Sequence, residues 1–354
     1  MTTHERKTRV AISVGDINGI GYEIIVKTLM DKNILDFFTP VIFGSTKHLS
    51  FYKKLIKSDA IQFYGVDSPE VAVDKKINVV NLWKEPANME FGNATKTSGQ
   101  YAFESLKAAA ESVKKGDCDV LVTAPINKKN IQSDEFNFPG HTEYLGKVWE
   151  GKPLMFLVTD TLKVSLVTQH IPLKDVAQNI SKEKIETKVL ALHDSLKYDF
   201  GIRKPKIAVL GLNPHSGDNG LLGAEEQEII SPAIQSLYEN GMLVFGPYAA
   251  DSFFTPTNIE AFDAVLGMYH DQALIPFKTL CFEDGVNYTA SLPFVRTSPD
   301  HGVAYDIAGK GIADATSFRE AVYTAVNVFD KRKESEELNK NILKSHHIKH
   351  ERER

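Results

Sequence analysis

Short apolar runs alternate with polar, helix-like segments over the first third of the chain, and this alternation limits the possible folds more than any other feature. Buried strands are typically short apolar runs, whereas a helix repeats its apolar residues every three or four positions. Repeated strand and helix units predict an α/β fold with a parallel, doubly wound sheet. The predicted strands are residues 9–14, 40–43, 60–64, 78–82 and 120–122, and the predicted helices are 22–30 and 98–114.

The middle of the chain continues this pattern with more widely spaced strands. Because 354 residues are many for a single core, we expect two lobes. After residue 329 the chain is highly charged, which is typical of a solvated helix or a frayed end. The further predicted strands are residues 155–158, 163–168, 206–211 and 262–268, with a helix at 182–197.

Composition and charge exclude several classes of protein. The formal net charge is -5 and the pI is near 6.1, so the chain lacks the basic surplus that binding to nucleic acid requires. No apolar stretch is long enough to span a bilayer, and the first residues lack the apolar core of a signal peptide. Cys118 and Cys281 are too few for a disulfide framework and suit a reducing compartment. We therefore expect a cytoplasmic protein with no nucleic-acid or membrane partner.

A glycine-rich turn, residues 15–21, lies between the first predicted strand and the first predicted helix. Glycines at a helix N-terminus let the backbone approach a phosphate, but they also permit a tight turn with close packing. The spacing of Gly15, Gly19 and Gly21 differs from the G-x-G-x-x-G dinucleotide fingerprint. We therefore favour a packing role for this turn.

Three of the 11 histidines closely follow predicted strands, and they are candidate metal ligands: His170, His215 and His270. Open α/β sheets bind ligands beyond the carboxyl ends of their strands. Three imidazoles around an open position are typical of a catalytic metal site, whereas a closed structural site usually contains cysteines. Alternatively, each histidine is a hydrogen-bonded loop residue. Asp251 and Asp271 would either orient these histidines or cap a helix or turn.

A second group of polar residues provides candidate contacts for an anionic substrate. Arg296 can hold a carboxylate or phosphate as a bidentate fork, and Lys278 can do so as a point charge. His141, Thr142 and Asn287 complete this group. The alternative for each charged side chain, taken singly, is an ordinary surface salt bridge. The functional interpretation of Lys278 and Arg296 is favoured because they flank His270 and the glycine-rich segment 301–314 in sequence.

Taken together, these segments resemble the 4-hydroxythreonine-4-phosphate dehydrogenase family of pyridoxal phosphate biosynthesis. The resemblance extends from the first strand to about residue 330, and segment 301–314 is also similar to the cofactor loop of isopropylmalate and isocitrate dehydrogenases. Ala124 and Asn127 depart from the best-known members, which have Gly and His there. The matching motifs are residues 15–21, 123–128, Gly140-His141-Thr142-Glu143, 170–173, 211–215, Tyr269-His270-Asp271-Gln272 and Arg296-Thr297-Ser298-Pro299-Asp300-His301-Gly302.

The resemblance implies an α/β fold like that of isocitrate and isopropylmalate dehydrogenases, with two lobes, parallel or mixed sheets flanked by helices, and the active site in the interlobe cleft. It places residues 1–135 and 280–330 in a cofactor-side lobe. Residues 136–279 would form a lobe for metal, substrate and dimerisation, and 331–354 a charged tail. It further implies a homodimer in which the neighbouring subunit completes each active site.

The resemblance also implies a role for each candidate residue. A divalent metal such as Zn²⁺, Mg²⁺ or Co²⁺, shared between partners, would bind to His170, His215 and His270. The dinucleotide, NAD or NADP, would contact the loop that follows residue 299. The implied substrate contacts are His141, Thr142, Lys278, Asn287 and Arg296, the cofactor contacts are Asp300, His301, Gly302 and Ile312, and the catalytic groups are Lys278 and Asp271.

The implied activity is NAD(P)-dependent oxidation of 4-phosphooxy-L-threonine, followed by decarboxylation to 3-amino-2-oxopropyl phosphate, in pyridoxine 5'-phosphate biosynthesis. One alternative is a dehydrogenase of another phosphorylated hydroxy acid, such as threonate or erythronate 4-phosphate, because the metal and cofactor parts would look the same. A zinc hydrolase or a class II aldolase would also use three histidines but would bind no dinucleotide. A non-catalytic dimer is the remaining alternative, and the joint presence of the histidines, Lys278 and Arg296 weakens it.

Overall fold

The computed structural model describes residues 6–58 and 60–340 of the chain. Within these residues twelve strands form one sheet. The strands are β1 (Arg9–Ser13), β2 (Thr39–Gly44), β3 (Phe63–Val66), β4 (Ile77–Asn81), β5 (Val120–Thr123), β6 (Leu154–Val158), β7 (Lys163–Leu166), β8 (Lys206–Leu210), β9 (Leu243–Tyr248), β10 (Ala264–Gly267), β11 (Val286–Ala290) and β12 (Val295–Pro299).

Helices cover both faces of this sheet. Short 3₁₀ turns and one π-helical turn, Glu226–Ile230, lie among them. The α-helices of the described residues are α1 (Gly21–Thr28), α2 (Thr46–Leu55), α3 (Lys96–Lys115), α4 (His141–Val148), α5 (Lys182–Tyr198), α6 (Ser231–Glu239), α7 (Ala250–Phe253), α8 (Pro256–Ala261), α9 (His270–Leu280) and α10 (Thr316–Lys340).

The strand order is β3-β4-β2-β1-β5-β12-β11-β6-β7-β10-β8-β9. From β3 to β12 all neighbours are parallel, and from β7 to β9 they are parallel again. Between these groups, β11 pairs antiparallel with both β12 and β6, and β6 pairs antiparallel with β7. The two parallel groups therefore run in opposite directions. This mixed sheet confirms the predicted α/β class. The predicted parallel arrangement holds within each of the two groups but not across the whole sheet.

Alternate residues of the strands pack against helices on opposite faces of the sheet. In β1, Val10 and Ile12 belong to the core that includes α1 and α10, whereas Ala11 packs in the core that includes α3. In β6, Phe156 lies with residues of α5, whereas Leu157 lies with residues of α9. Strands that are buried on both faces account for the continuous apolar runs of the sequence.

The predicted strands and helices are present, and most of their ends differ by one or two residues from the prediction. The strand predicted at 60–64 is shifted to Phe63–Val66, because Ile61 is buried in the core before the strand begins. The apolar pattern did not reveal β9, β11 or β12. Strand β12 contains buried polar side chains and therefore lacks the apolar run of a typical buried strand, whereas β9 begins with the apolar run Leu243-Val244-Phe245 but is partly exposed.

Segment 280–330 connects the two halves of the sheet. It contributes β12, which pairs with β5, and β11, which pairs with β6. Helix α10 continues to Lys340, so the first ten residues of the predicted charged tail, 331–354, are helical. The remainder of that tail, with His346, His347 and His350, lies outside the described residues. No helix of residues 6–58 and 60–340 is both long enough and apolar enough to cross a membrane.

A buried ionic network fastens α10 to the sheet. Arg332 Nε donates at 2.7 Å to Oδ1 of Asp199, which is the residue directly after α5. Asp199 Oδ2 accepts from Tyr288 of β11 at 2.6 Å and from Ser195 at 2.6 Å. Arg332 also donates to the Tyr288 hydroxyl, at 3.0 Å. The carboxylate is buried, so its charge depends on these donors for compensation.

We predict that Arg332→Met destabilises the protein by about 3 kcal/mol, because the substitution leaves the buried Asp199 carboxylate without a counter-ion. The free energy of unfolding from urea denaturation measures this loss. Lys331→Met is the matched control, because Lys331 forms an exposed ion pair with Glu334 at 2.7 Å. That control should change the free energy of unfolding by less than about 0.5 kcal/mol. Equal effects of the two substitutions would contradict the assigned role of the network.

Candidate active site

A polar cavity of about 350 Å³ lies over the central strands and brings together most of the predicted site residues. Its floor includes Met155 of β6, Asn287 of β11 and Arg296 of β12, which the strand register places on one face of the sheet. Segments that follow β5, β7 and β12 form its walls, together with the beginning of α4 and the end of α9. The cavity thus collects residues from both halves of the sheet.

The side chain of Arg296 is the most deeply buried charge in this cavity, with 2% of its surface exposed. Its hydrogen bonds go to hydroxyl groups: Nε and Nη2 donate to Thr123 at 3.2 and 2.7 Å, and Nη1 donates to Thr289 at 3.0 Å. Burial lowers the pKa of Arg296 to about 9, although a guanidinium remains charged at neutral pH. A buried cation held by neutral groups is well suited to bind an anion.

Further groups around Arg296 fit the same anion. His141 is the first residue of α4, and its Nε2 is buried without a hydrogen-bond partner among the described residues. Burial, with the charges of Arg296 and Lys128, holds the pKa of His141 well below its usual value, so this imidazole is neutral at neutral pH. Thr142 follows it in the first turn of α4, where free backbone N–H groups favour negative charge.

The opposite part of the cavity contains an ion pair and two unsatisfied acceptors. Lys278 Nζ lies 3.1 Å from Asp300 Oδ1 and also donates to the Asp300 carbonyl at 3.2 Å. Asn287 Oδ1 is buried without a partner among the described residues. His301 Nδ1 donates to the Gly302 carbonyl at 3.1 Å, which leaves Nε2 as a buried acceptor without a partner. Ligand groups that donate hydrogen bonds, such as hydroxyl or ammonium, would satisfy these atoms.

The structure brings two of the three candidate metal ligands together. The rings of His170 and His270 lie 5.9 Å apart between centroids. Burial and the charge of Lys128 lower the pKa of His170, which favours its neutral, metal-binding form. His270 Nδ1 donates to Asp271 Oδ1 at 2.7 Å. This bond leaves the Nε2 lone pair of His270 available and is the usual support for a metal-binding imidazole.

The third candidate ligand, His215, lines a neighbouring cavity of about 660 Å³ together with Asp251 and Asp271. Within the described part of a single chain, no three His, Cys, Asp or Glu side chains gather closely enough to hold a metal ion. The imidazoles of His170 and His270, with Asp271 fixing the tautomer of His270, nevertheless fit one side of a divalent metal site in their ligand chemistry. The three-histidine site therefore stays a prediction.

The predicted cofactor loop begins in the cavity and leaves it. Asp300, His301 and Gly302 line the cavity, whereas Ile312 is 65% exposed at the other end of the loop. That end is fixed by α1, because Lys27 Nζ donates to the carbonyls of residues 311 and 313 at 3.0 and 2.6 Å. The far end of the loop is therefore fastened to α1 beside the exposed side chain of Ile312.

The glycine-rich turn supports this loop from below. A Cβ atom at Gly19 would lie 2.1 Å from a Val303 side-chain carbon, so close packing requires the glycine. The neighbouring Asp16 is buried and accepts from Tyr305 at 2.7 Å and from Asn130 at 2.7 Å. These contacts confirm the packing role of residues 15–21.

Sequence reasoning assigned no role to several residues that the structure places in or beside the cavities. Lys128 and Glu143 line the smaller cavity, and both belonged to motifs that the sequence analysis singled out. Asn127 does not line it, and its Oδ1 accepts from the backbone N–H groups of residues 129 and 130. Gln272 and Glu226 hold the histidine segments in place and carried no sequence signal beyond the motif that contains Gln272.

Comparison with known proteins is consistent with this fold. The sequence model of the family described as "Pyridoxal phosphate biosynthetic protein PdxA" matches residues 36–325. A relative from Bacteroides thetaiotaomicron, named 4-hydroxythreonine-4-phosphate dehydrogenase, is 49% identical over 342 residues, which cover 96% of this chain and 94% of the relative. A relative from Cupriavidus necator, named D-threonate 4-phosphate dehydrogenase, is 38% identical and covers 91% of this chain and 98% of its own.

A solved structure shares the architecture over nearly the whole chain. The crystal structure of 4-hydroxythreonine-4-phosphate dehydrogenase from Klebsiella pneumoniae has a TM-score of 0.80 and 34% sequence identity, and the match covers 91% of this chain and 100% of that one. The family match spans well over half of the sequence, and the similarity to relatives extends through both halves of the sheet. The chain therefore belongs to the pyridoxal phosphate biosynthetic protein PdxA family.

Proposed function

We propose that this chain oxidises 4-phosphooxy-L-threonine with NAD or NADP and releases the carboxyl group as carbon dioxide, which yields 3-amino-2-oxopropyl phosphate for pyridoxine 5'-phosphate biosynthesis. Membership of its family makes the chain a dehydrogenase. The observation that carries the proposal for the substrate is the buried Arg296 guanidinium, whose hydrogen bonds within the described part of the chain go to hydroxyl groups, in a cavity of about 350 Å³. This arrangement favours a small, anionic substrate.

The two parts of the cavity match the two ends of such a substrate. The phosphate would bind between Arg296, His141 and the N-terminus of α4, where the cationic and N–H groups are concentrated. The hydroxyl and ammonium groups would donate to Asn287 Oδ1 and His301 Nε2, which have no hydrogen-bond partner among residues 6–58 and 60–340. Lys278 would orient the carboxylate and, as an ammonium ion paired with Asp300, hold a proton close to the reacting carbon atoms.

The metal would be held by His170, His215 and His270, with Asp271 fixing the His270 tautomer. When bound, a divalent metal lowers the pKa of a substrate hydroxyl and polarises a carbonyl, the chemistry that oxidation and decarboxylation require. Residues 300–312 would hold the dinucleotide, which would accept the hydride of the oxidation. Lys27 would keep the distant part of that loop in position. His141 and Thr142 orient the phosphate, which restricts the substrate to one pose.

The second candidate substrate is threonate 4-phosphate, because a relative that is 38% identical is named D-threonate 4-phosphate dehydrogenase. The acceptors Asn287 Oδ1 and His301 Nε2 fit a hydroxyl group as well as an ammonium group. Erythronate 4-phosphate fits for the same reason. A zinc hydrolase or aldolase would need no binding loop for a dinucleotide, so the arrangement of residues 300–312 favours the dehydrogenase.

We further propose that two chains form a homodimer that completes each metal site. His215 lines the larger cavity, whereas His170 lines the smaller one, so a second copy placed against the larger cavity can supply the missing ligand. Apolar side chains beside that cavity are exposed, and Phe282 is 83% exposed. Ile275 and Leu280 of α9 line that cavity and are also exposed. Such a patch is typical of a subunit interface.

In the order of the sheet, the proposed lobes meet between β11 and β6, because residues 1–135 and 280–330 contribute the strands from β3 to β11, and residues 136–279 contribute those from β6 to β9. A cytoplasmic location is proposed on the basis of the cysteines. Cys118 and Cys281 are both buried and unpaired, as is typical of proteins from a reducing compartment.

We predict that Arg296→Met weakens binding of inorganic phosphate by about 100-fold, because the bidentate cation is lost. The rise in melting temperature on addition of phosphate measures this binding. Without phosphate, the variant should lose no more than about 2 kcal/mol of stability, because it removes a buried charge that hydroxyl groups and the nearby Glu143 carboxylate compensate only in part. Arg319→Met, at an exposed ion pair with Glu320, is the matched control and should keep phosphate protection. Full protection of Arg296→Met would refute the assigned anion site.

We predict that the wild-type enzyme reduces NAD or NADP in the presence of 4-phosphooxy-L-threonine, and that a chelator removes this activity. His215→Ala should lower the rate by at least about 100-fold, since a metal ligand is lost. His193→Ala, on α5 outside both cavities, is the matched control and should remain active. Activity with threonate 4-phosphate alone would assign the protein to the second candidate substrate. A chelator-resistant His215→Ala enzyme would exclude the metal mechanism.

We predict that Phe282→Asp weakens self-association at least about 30-fold, because a charge replaces a central apolar contact. Light scattering after gel filtration should then detect monomers at concentrations where the wild-type protein is dimeric, together with loss of turnover. Val71→Asp changes a residue that is 57% exposed in the other half of the sheet and should leave the dimer intact. A dimeric Phe282→Asp variant would show that the interface lies elsewhere.

A further inference from the structure

We propose that a hydrogen bond between Tyr305 and Asp16 holds the cofactor loop, residues 300–312, in a strained conformation and thereby sets its affinity for NAD or NADP. Tyr305 is thus a positioning residue, since its hydroxyl bonds to a buried carboxylate of the protein. This role rests on the proposed function of the cofactor loop. It uses contacts within one chain and requires neither the metal nor a partner subunit.

The strain of the cofactor loop lies at Ala304, whose φ angle is 48°. The left-handed region is unfavourable for a residue with a Cβ atom, and such a residue keeps it only where its surroundings enforce it. Gly309 and Gly311, further along the loop, also have positive φ angles (73° and 71°), but glycine adopts them without this cost. The contacts on either side of Ala304 must therefore supply the enforcement.

Before Ala304, the loop is held by the glycine-rich turn, residues 15–21. The carbonyl of Val303 accepts from the backbone N–H of Ile20 at 3.1 Å. The side chain of Val303 is buried and packs so closely on Gly19 that a Cβ atom there would lie 2.1 Å from it. These two contacts fix the peptide group that joins Val303 to Ala304.

After Ala304, the loop is held by the side chain of Tyr305, whose hydroxyl donates to Asp16 Oδ2 at 2.7 Å. A hydrogen bond to a carboxylate is stronger than one between neutral groups. Asp16 is itself fixed, because its backbone N–H donates to the carbonyl of Pro125 at 2.9 Å, just beyond β5. The strained residue is therefore held from both sides, and the hold on the Tyr305 side can be removed by deleting one hydroxyl group.

Removal of that hydroxyl leaves Asp16 with other donors. Its Oδ1 accepts from the backbone N–H of Asn18 at 2.9 Å, and its Oδ2 accepts from Ser98 at 3.1 Å and from Asn130 Nδ2 at 2.7 Å. The glycine-rich turn should therefore stay folded, and the effect should fall on the loop. Ala304 can then relax to a negative φ angle, so the dinucleotide has to restore the loop conformation when it binds, and its affinity falls.

Isothermal titration calorimetry with NAD and with NADP tests this role, because it measures dinucleotide affinity without turnover. Tyr305→Phe removes the hydroxyl and keeps the ring. Tyr64→Phe is the matched control, since the Tyr64 hydroxyl bonds to Gln62 at 3.2 Å and Lys76 at 2.9 Å on the edge strand β3. Ala304→Gly, alone and combined with Tyr305→Phe, tests the strain, because glycine adopts a positive φ angle without enforcement.

We expect Tyr305→Phe to bind the dinucleotide at least about 10-fold more weakly than the wild type, in the range for loss of a hydrogen bond to a charged group. Tyr64→Phe should bind it as the wild type does. The loss caused by Tyr305→Phe should be smaller when residue 304 is glycine. The melting temperature of Tyr305→Phe without ligand should stay close to that of Tyr64→Phe, and its protection by inorganic phosphate should be unchanged.

Wild-type dinucleotide affinity in Tyr305→Phe would overturn the role of Tyr305 and leave the proposed function intact. An equal loss with alanine and with glycine at residue 304 would also overturn it, because the bond would then not act against strain. Lower affinity together with a lower ligand-free melting temperature and weaker phosphate protection would overturn it as well, since the effect would be general destabilisation. A wild-type protein that binds neither NAD nor NADP would overturn the proposed cofactor loop and the role of Tyr305 together.

Discussion

Two groups of parallel strands run in opposite directions in one sheet, and the antiparallel pairings of β11 and β6 between them determine where the site can lie. Because β12 and β7 run in opposite directions, their carboxyl ends lie at opposite ends of the central strands. Segments that follow these ends fold over the face formed by Met155, Asn287 and Arg296. Polar loops from both halves therefore meet at one cavity. In a uniformly parallel sheet, such loops would all follow the carboxyl ends of the strands on the same side of the sheet.

The charge at the centre of this face is costly for the free protein and useful for the complex. Burial of Arg296 without a carboxylate hydrogen-bond partner opposes folding, since Thr123 and Thr289 offer only hydroxyl dipoles. A bound phosphate or carboxylate supplies a negative charge beside Arg296. Because folding has already removed water from the guanidinium, ligand binding does not have to meet that desolvation cost again. The unpartnered acceptors Asn287 Oδ1 and His301 Nε2 serve the opposite polarity in the same way. This division of charge orients a substrate that has an anionic end and a donor-bearing end.

Backbone strain is concentrated at the segment that carries His215. Left-handed residues other than glycine cost roughly 1–2 kcal/mol each, and four of them follow one another here with one glycine among them. The carboxylate of Glu226 and the carboxamide of Gln272 hold this segment, while Asp271 holds the imidazole of His270. Rigid support of this kind limits the motion of these segments within one chain.

The sequence by itself determined the α/β class, most strands and helices of both halves, and the residue types of the site, because buried strands and helices have distinct apolar periods. It did not reveal β12, since Arg296, Thr297 and Ser298 are polar but buried. The convergence of Arg296, His141, Lys278 and Asn287 was expected only through a family resemblance, because their distances depend on how the strands pair. Tertiary structure alone placed His215 in a different cavity from His170 and tied the cofactor loop to the glycine-rich turn through Asp16. The physical reason is that apolar periodicity encodes which faces are buried, whereas hydrogen bonds between distant segments leave no periodic trace in the sequence.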